Sequence, residues 1–245
     1  RYSEYGASSI NSRNAGGLAA PSASAGLDNV DRGIGISNTW SLSPTTVIET
    51  RAQFGYSNLN APPTDLLGPA ATIAGVATFG TLSGSPTGRR NSLYELVDNL
   101  SHQAGAHALR VGADVLYNDD TITFPRSTRG SYAFSSLANF MAGVYNNAGF
   151  TQTFGATAVS QTNPNLGVYA QDEWKAAQRL TINAGVRYDL QWLQTIGTDT
   201  NNVAPRAGFA WTPAESRRTI VRGSGGLFYD RVPLRAVANA LLSAG

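Results

Sequence analysis

The residues best equipped for chemistry gather in one short stretch: Asp98, Ser101, His102 and His107. A hydroxyl, an imidazole and a carboxylate are the parts of a nucleophilic triad. A triad also needs convergent geometry and an oxyanion hole, and no motif here supplies either. As a metal pair the two histidines lack a third ligand. The chain has no cysteine, which removes disulfides and thiolate metal sites. Both histidines are expected to flank a hairpin turn as ordinary polar residues. Gly223-Ser224-Gly225-Gly226 has the glycine density of a phosphate loop, but no Lys-Ser/Thr follows it and it lies in a strand pattern. Glycine there thins a wall or permits a bulge. Asn118-Asp119-Asp120 and Asp199-Thr200-Asn201-Asn202 offer oxygen ligands without the twelve-residue calcium-loop pattern, and are expected to be solvated loop turns. The expectation is a protein that is not an enzyme, with no cofactor and no metal.

Charged residues make up only 14% of the chain while glycine alone numbers 26. A soluble α/β enzyme usually carries roughly a quarter charged residues. The net charge is +2, and the arginines are spread singly rather than in a basic block, so no nucleic-acid partner is expected. Arg1-Tyr2-Ser3-Glu4-Tyr5 does not open a secretory leader. No run approaches the roughly 18 apolar residues of a helical span, so any membrane crossing is made by strands.

Period-2 alternation recurs in segments of about ten residues. Thr46–Tyr56 places Thr46, Ile48, Ala52, Phe54 and Tyr56 opposite Val47, Glu49, Arg51 and Gln53. Leu109–Tyr117 sets Leu109, Val111, Ala113, Val115 and Tyr117 against Arg110, Gly112 and Asp114. Leu180–Asp189 sets Leu180, Ile182, Ala184, Val186 and Tyr188 against Asn183, Arg187 and Asp189. From Val221, Leu227 and Tyr229 share a face opposite Arg222. Upstream partners are Gly33–Leu42, Tyr94–Gln103, Asn165–Trp174 and Arg206–Trp211, joined through Ser43-Pro44-Thr45, Gly105-Ala106, Lys175–Arg179 and Pro213–Arg218. A weaker pair, Gly130–Ser136 and Phe150–Thr157 around a long apolar turn at Leu137–Ala148, brings the expected count to ten strands. Longer polar or Gly/Pro-rich stretches at Arg1–Arg32, Ser57–Arg90, Asn118–Arg129 and Leu193–Val203 alternate with the tight turns. Tight turns on one side and long loops on the other describe a transmembrane β-barrel.

The aromatics say which face meets lipid. Trp40, Trp174 and Trp211 lie on the apolar parity shortly before tight turns; Tyr56, Tyr117, Tyr188 and Tyr229 lie on it at the far ends of the return strands. Eight tilted residues climb about 20 Å, close to the height of an outer-membrane apolar band between its aromatic girdles. Glu49, Arg51, Arg110, Asp114, Arg187, Asp189 and Arg222 are then expected to face a wet lumen. Asp172 is the exception, since it shares the parity of Val168 and Trp174; it sits near a turn, or a bulge shifts its register.

Asn165-Leu-Gly-Val-Tyr-Ala-Gln-Asp-Glu-Trp174 followed by Arg179-Leu-Thr-Ile-Asn-Ala-Gly-Val-Arg-Tyr-Asp189 resembles the barrel of TonB-dependent outer-membrane receptors. Asn202-Val-Ala-Pro-Arg-Ala-Gly-Phe-Ala-Trp-Thr-Pro213 and Val221–Arg231 continue it. The flavour is that of the large receptors with an N-terminal carboxypeptidase-regulatory-like domain. The likeness is strong over 165–231 and looser over 33–57 and 91–118. It implies import of a scarce solute (a metal chelate, glycan or peptide) across the outer membrane, with TonB acting through a plug domain. Such barrels have 22 strands. No plug, TonB box or closing strand is recognisable here, and both chain ends map to the long-loop side. The expectation is therefore an all-β, antiparallel, meandering barrel segment, an internal part of a larger barrel. It divides into an outer loop at 1–32, transmembrane hairpins at 33–231 and an outer-loop helix at 232–245.

Overall fold

In the computed structural model, which describes residues 1–14, 16–147, 149–213 and 219–243, the chain is a long antiparallel meander. Its strands are β1 (Tyr2–Arg13), β2 (Ala25–Ser43), β3 (Thr46–Ala61), β4 (Ala70–Ile73), β5 (Ala77–Phe79), β6 (Thr87–Ala104), β7 (His107–Thr123), β8 (Ser131–Phe134), β9 (Phe150–Thr151), β10 (Ala158–Ala177), β11 (Leu180–Gln191), β12 (Val203–Trp211) and β13 (Val221–Gly226). The helices are α1 (Leu137–Met141) and α2 (Leu234–Ser243). Nine strands form one sheet in the order β1-β2-β3-β6-β7-β10-β11-β12-β13. Every pair in it is antiparallel. The sheet is open: β1 and β13 are its two edges, as in part of a barrel.

The tight turns fall where glycine, proline and short polar residues allow them. Ser43 pairs with Thr46 around Pro44-Thr45, and Ala104 with His107 around Gly105, whose φ of 61° suits a residue without Cβ. Ala177 pairs with Leu180 beyond a register shift after Trp174. Of the expected Pro213–Arg218 turn, 214–218 lie outside the described residues.

Four expectations are corrected. Residues 1–32 are not simply a loop: β1 and the first eight residues of β2 pair there, Tyr2 opposite Ile34 and Glu4 opposite Arg32. The count in the main sheet is nine, not ten, because Gly130–Ser136 and Phe150–Thr157 do not cross with the others. They supply β8 and β9 to a separate four-stranded sheet, β5-β4-β8-β9, and the apolar turn between them carries α1. With an odd count, β1 and β13 run in the same direction, so the ends of the chain do not both map to the long-connection side. The Asn118-Asp119-Asp120 run is no loop turn either. It lies inside β7 opposite Asn163, Thr162 and Gln161, because backbone pairing carries on past the segment where side chains alternate.

The small sheet, its connections and a 3-10 turn at Pro21–Ala23 form a crown on the long-connection side. Ala20 and Thr78 are joined by a backbone hydrogen bond, as are Gly26 and Pro62, and Ala70 and Gly130, so the first three long connections are knit together. The buried apolar side chains gather in the crown and under α2: Ile73, Phe134 and Val237 are each less than a tenth exposed. The wall itself has no core, since a single sheet leaves both faces uncovered. No described helix is long and apolar enough to cross a membrane.

Candidate functional site

Residues directly opposite one another in a sheet share a face, and that face changes at every residue. The ladders put Glu49 beside Thr39 and Asn99, Arg51 beside Ser37 and Val97, Arg110 beside Ser101 and Gln171, and Asp114 beside Val97 and Gly167. Arg187 lies beside Tyr169 and Ala204, Asp189 beside Gly167, and Arg222 beside Ala210. All seven therefore occupy one continuous polar face. That face lines a cavity of about 1120 Å³ over the last four strands of the sheet, with Tyr169, Gln171, Arg187, Arg206 and Ser224 among its walls.

Two glycines make room for this network. Arg187 reaches across Gly167 to ion-pair with Asp114 on one side and Asp189 on its own strand, the latter at 2.8 Å. A Cβ at Gly167 would fall into the Arg187 guanidinium. Tyr169 lies over Gly112 and donates to Asn99 Oδ1 at 2.7 Å. Arg231, beyond β13, joins Asp114 at 3.5 Å. Glu49 and Arg51 pair with each other at 2.8 Å. Arg110 and Arg222 have no acidic partner among the described residues.

The opposite face is apolar from strand to strand. Ile34, Phe54, Tyr94 and Tyr117 stand in one row; Leu100, Val111, Ala170 and Val186 stand in another. Ile36 is 67% exposed and Trp40 64%, which in water would be a large liability. Three tryptophans on this face follow a slope. From Trp40 the ladder crosses Ile48, Leu100 and Val111 to Ala170 in four strand steps, and Trp174 lies four residues further on (174 − 170). Two more steps, through Val186, reach Pro205, and Trp211 lies six residues further on (211 − 205). Both give one residue per strand, always toward the tight turns. With a rise of about 3.3 Å and a spacing of about 4.8 Å, rings staggered in this way share a plane if the strands tilt by about 35°, the tilt of closed barrels. The tyrosines descend in the same direction. Tyr117 is level with Phe54, two residues below Tyr56 (56 − 54), and Tyr188 is level with Thr50, six below it (56 − 50). Tyr229 lies past the end of β13.

Acids interrupt the apolar face at Asp98 and Asp172, and at Glu4, which lies level with Tyr56 and ion-pairs with Arg32 at 3.1 Å. Asp172 was visible in the sequence, and the register runs unbroken through it, opposite Leu109 and Ala184. No bulge turns it away; instead it meets His107 Nδ1 at 2.6 Å, and Trp174 stacks on that imidazole. Asp98 escaped sequence reading as a member of this face, although its parity with Leu96 and Leu100 gave it away. It accepts a hydrogen bond from Thr50 Oγ1 at 2.7 Å. His102 pairs with Thr46 at 2.9 Å. Ser101 is on the polar face, so Ser101, His102 and Asp98 do not converge and form no triad. Asp199 holds the loop turn expected of it, with Oδ1 accepting from the Asn201 backbone.

Comparison with known proteins places the sheet as a whole. A family model described as an outer membrane beta barrel domain matches residues 1–196 and 193–244. The TonB-dependent transporter Oar of Myxococcus xanthus is 30% identical over 160 residues, covering 58% of this chain and 15% of that protein. The outer membrane transporter YddB from Escherichia coli superposes with a TM-score of 0.59 at 14% identity, over 91% of this chain and 28% of that one. The chain thus spans well under a third of either relative, and the second likeness speaks for fold alone. Both relatives are transporters, this barrel wall resides in the outer membrane, and the chain belongs to the outer membrane β-barrel domain family.

Proposed function

We propose that the chain is a wall of a TonB-dependent importer that takes a scarce solute across the outer membrane. The observation that carries this reading is the segregation of faces across nine strands. The polar, ion-paired face is the lumen, and the apolar face, bounded by sloping tryptophan and tyrosine rows, is the lipid surface. Rings that are apolar at one end and hydrogen-bonding at the other favour the two membrane boundaries. By the habit of such barrels the tight turns are periplasmic and the crown lies outside the cell. TonB would act through a plug domain elsewhere in the longer protein. The solute is a metal chelate, a glycan or a peptide.

The test is uptake by cells with and without the full-length gene, across panels of those three solute classes, with the TonB system intact or deleted. Loss of TonB-dependent uptake of one class on deletion, restored by a plasmid copy, supports the reading. Unchanged uptake together with lost adhesion would make this a surface barrel. Recovery of the protein from a soluble fraction without detergent would make it a soluble one.

A further inference from the structure

Residues of three long connections line an open pocket of about 670 Å³ in the crown, a volume within the range of small-molecule sites. Five of its twelve lining residues are aromatic. Phe140 meets Phe134 edge-on at 5.2 Å and Phe79 at 5.6 Å, while Tyr132 meets Tyr145 at 5.6 Å and 66°. An aromatic face is the negative side of its quadrupole. Asp65 is the one charged residue among the lining residues, and no lysine or arginine is among them. Its Oδ1 accepts the backbone N–H groups of Leu67 at 2.8 Å and Gly68 at 3.1 Å. Its Oδ2 accepts nothing from the described residues. Arg129 donates to the Asp65 main-chain carbonyl at 3.4 Å and also acts on the carboxylate through space, without a direct ion pair.

We propose that this crown cavity binds an organic ammonium group, held against the faces of Tyr132, Tyr145 and the neighbouring phenylalanines with Asp65 as its counter-charge. The chemistry follows from the lining: a cation gains from ring faces even at a partly exposed site, Asp65 supplies the one formal charge among the lining residues, and no cationic side chain is among them to hold an anion. The cavity is also built to keep its shape. Thr81 donates to the Asp65 carbonyl at 2.7 Å, and the Gly80 N–H donates to Ser22 at 3.1 Å. At Gly80 a Cβ would strike the Pro69 carbonyl oxygen, and φ is 79°, so that close approach requires glycine. The proposal rests on the reading of the crown as the outer, solute-capturing face of an importer, and it names the solute's class by its cationic group.

Calorimetry on the full-length protein in detergent tests it, with choline as the probe and 3,3-dimethylbutan-1-ol as its uncharged isostere. Choline is expected to bind about tenfold more tightly than the alcohol, from the Asp65 charge and several partly exposed ring contacts acting together. Asp65→Asn keeps an oxygen for the Leu67 and Gly68 amides, so the turn survives, and it should weaken choline about tenfold while leaving the alcohol unchanged. Tyr132→Leu and, independently, the more exposed Tyr145→Leu should each weaken choline as well. Equal binding of choline and the alcohol, or no choline binding at all, overturns the proposal, as does an Asp65→Asn protein that binds choline like wild type. The measurement needs neither TonB nor transport. Retained choline binding with absent uptake would therefore sink the import reading alone, and absent choline binding with intact uptake would sink this one alone.

Discussion

Thr50 Oγ1 donates a 2.7 Å hydrogen bond to Asp98 across two neighbouring strands, on a face whose other members along β6 are Tyr94, Leu96 and Leu100. The slope of the aromatic rows fixes its depth. Trp40 is level with Leu100 after two strand steps, so the tryptophan row meets β6 near residue 102 (100 + 2). Tyr56 is level with Ser92 after one step, so the tyrosine row meets it near 93 (92 + 1). Asp98 lies four residues from one level and five from the other, in the middle of the apolar band.

An acid there is costly unless its partner stays. Thr50→Val alone should cost about 1 kcal/mol by orphaning the carboxyl group. The double change Thr50→Val with Asp98→Leu should restore or exceed wild-type stability, because a polar pair replaced by packed apolar groups loses little. Urea titration of the full-length protein in lipid vesicles reads both. A double variant weaker than Thr50→Val would mean that Asp98 meets something other than lipid.

Depth and face can be separated on β11. Val186→Arg puts a cation on the lipid face and should cost about 2–4 kcal/mol near the midplane. Asn183→Arg, pointing into the lumen, should fold to wild-type yield. Equal loss of heat-modifiable folded protein for both would contradict the assignment of faces.

His107 and Asp172 form another polar pair on the apolar face, at the turn end of their strands. His107→Leu should destabilise by about 1–3 kcal/mol, since Asp172 is then left with no partner and its Oδ1 is already buried without one. Adding Asp172→Leu should return most of that loss. A double-mutant cycle with no coupling between the two positions would show the contact to be idle.

Gly167→Ala should break the lumenal clamp, because the new methyl occupies the space of the Arg187 guanidinium. The expected cost is about 1–3 kcal/mol. Gly35→Ala serves as the control, with open space around its Cβ position. If the two alanine variants melt together, Arg187 has another route to Asp114.

In the crown, Asp65 is held below its ordinary 3.8, first by the Leu67 N–H and then by the Gly68 N–H. A depressed folded-state value means the turn's support is complete above the unfolded value and fades as pH falls through the folded one. Hydrogen exchange at Leu67 and Gly68, corrected for intrinsic rate, should show constant protection from pH 7 to about 4 and weaker protection below. Asp65→Asn should flatten that dependence. A midpoint above 4 would contradict the hydrogen-bonded carboxylate.

The sequence by itself determined the repeating wall. Alternation at Leu109–Tyr117 or Leu180–Asp189 is a local property: each side chain's face follows from parity, and the short turn at Gly105-Ala106 forces its two strands together. The same parity assigned Glu49, Arg51, Arg110, Asp114, Arg187, Asp189 and Arg222 to one face, where the ladders also carry them. Only the tertiary structure decided what depends on register between strands. Parity could not align Trp40 with Trp174, pair Asp172 with His107, or bring Arg187 over Gly167 to Asp114, because each needs the offset of one strand against the next. Nor could it find β1, or the fate of Gly130–Ser136 and Phe150–Thr157. Strands outside the lipid band have no obligation to alternate, and short strands are held by whichever distant connection meets them, as β8 is by β4, whose paired residues lie 61 apart in sequence (131 − 70).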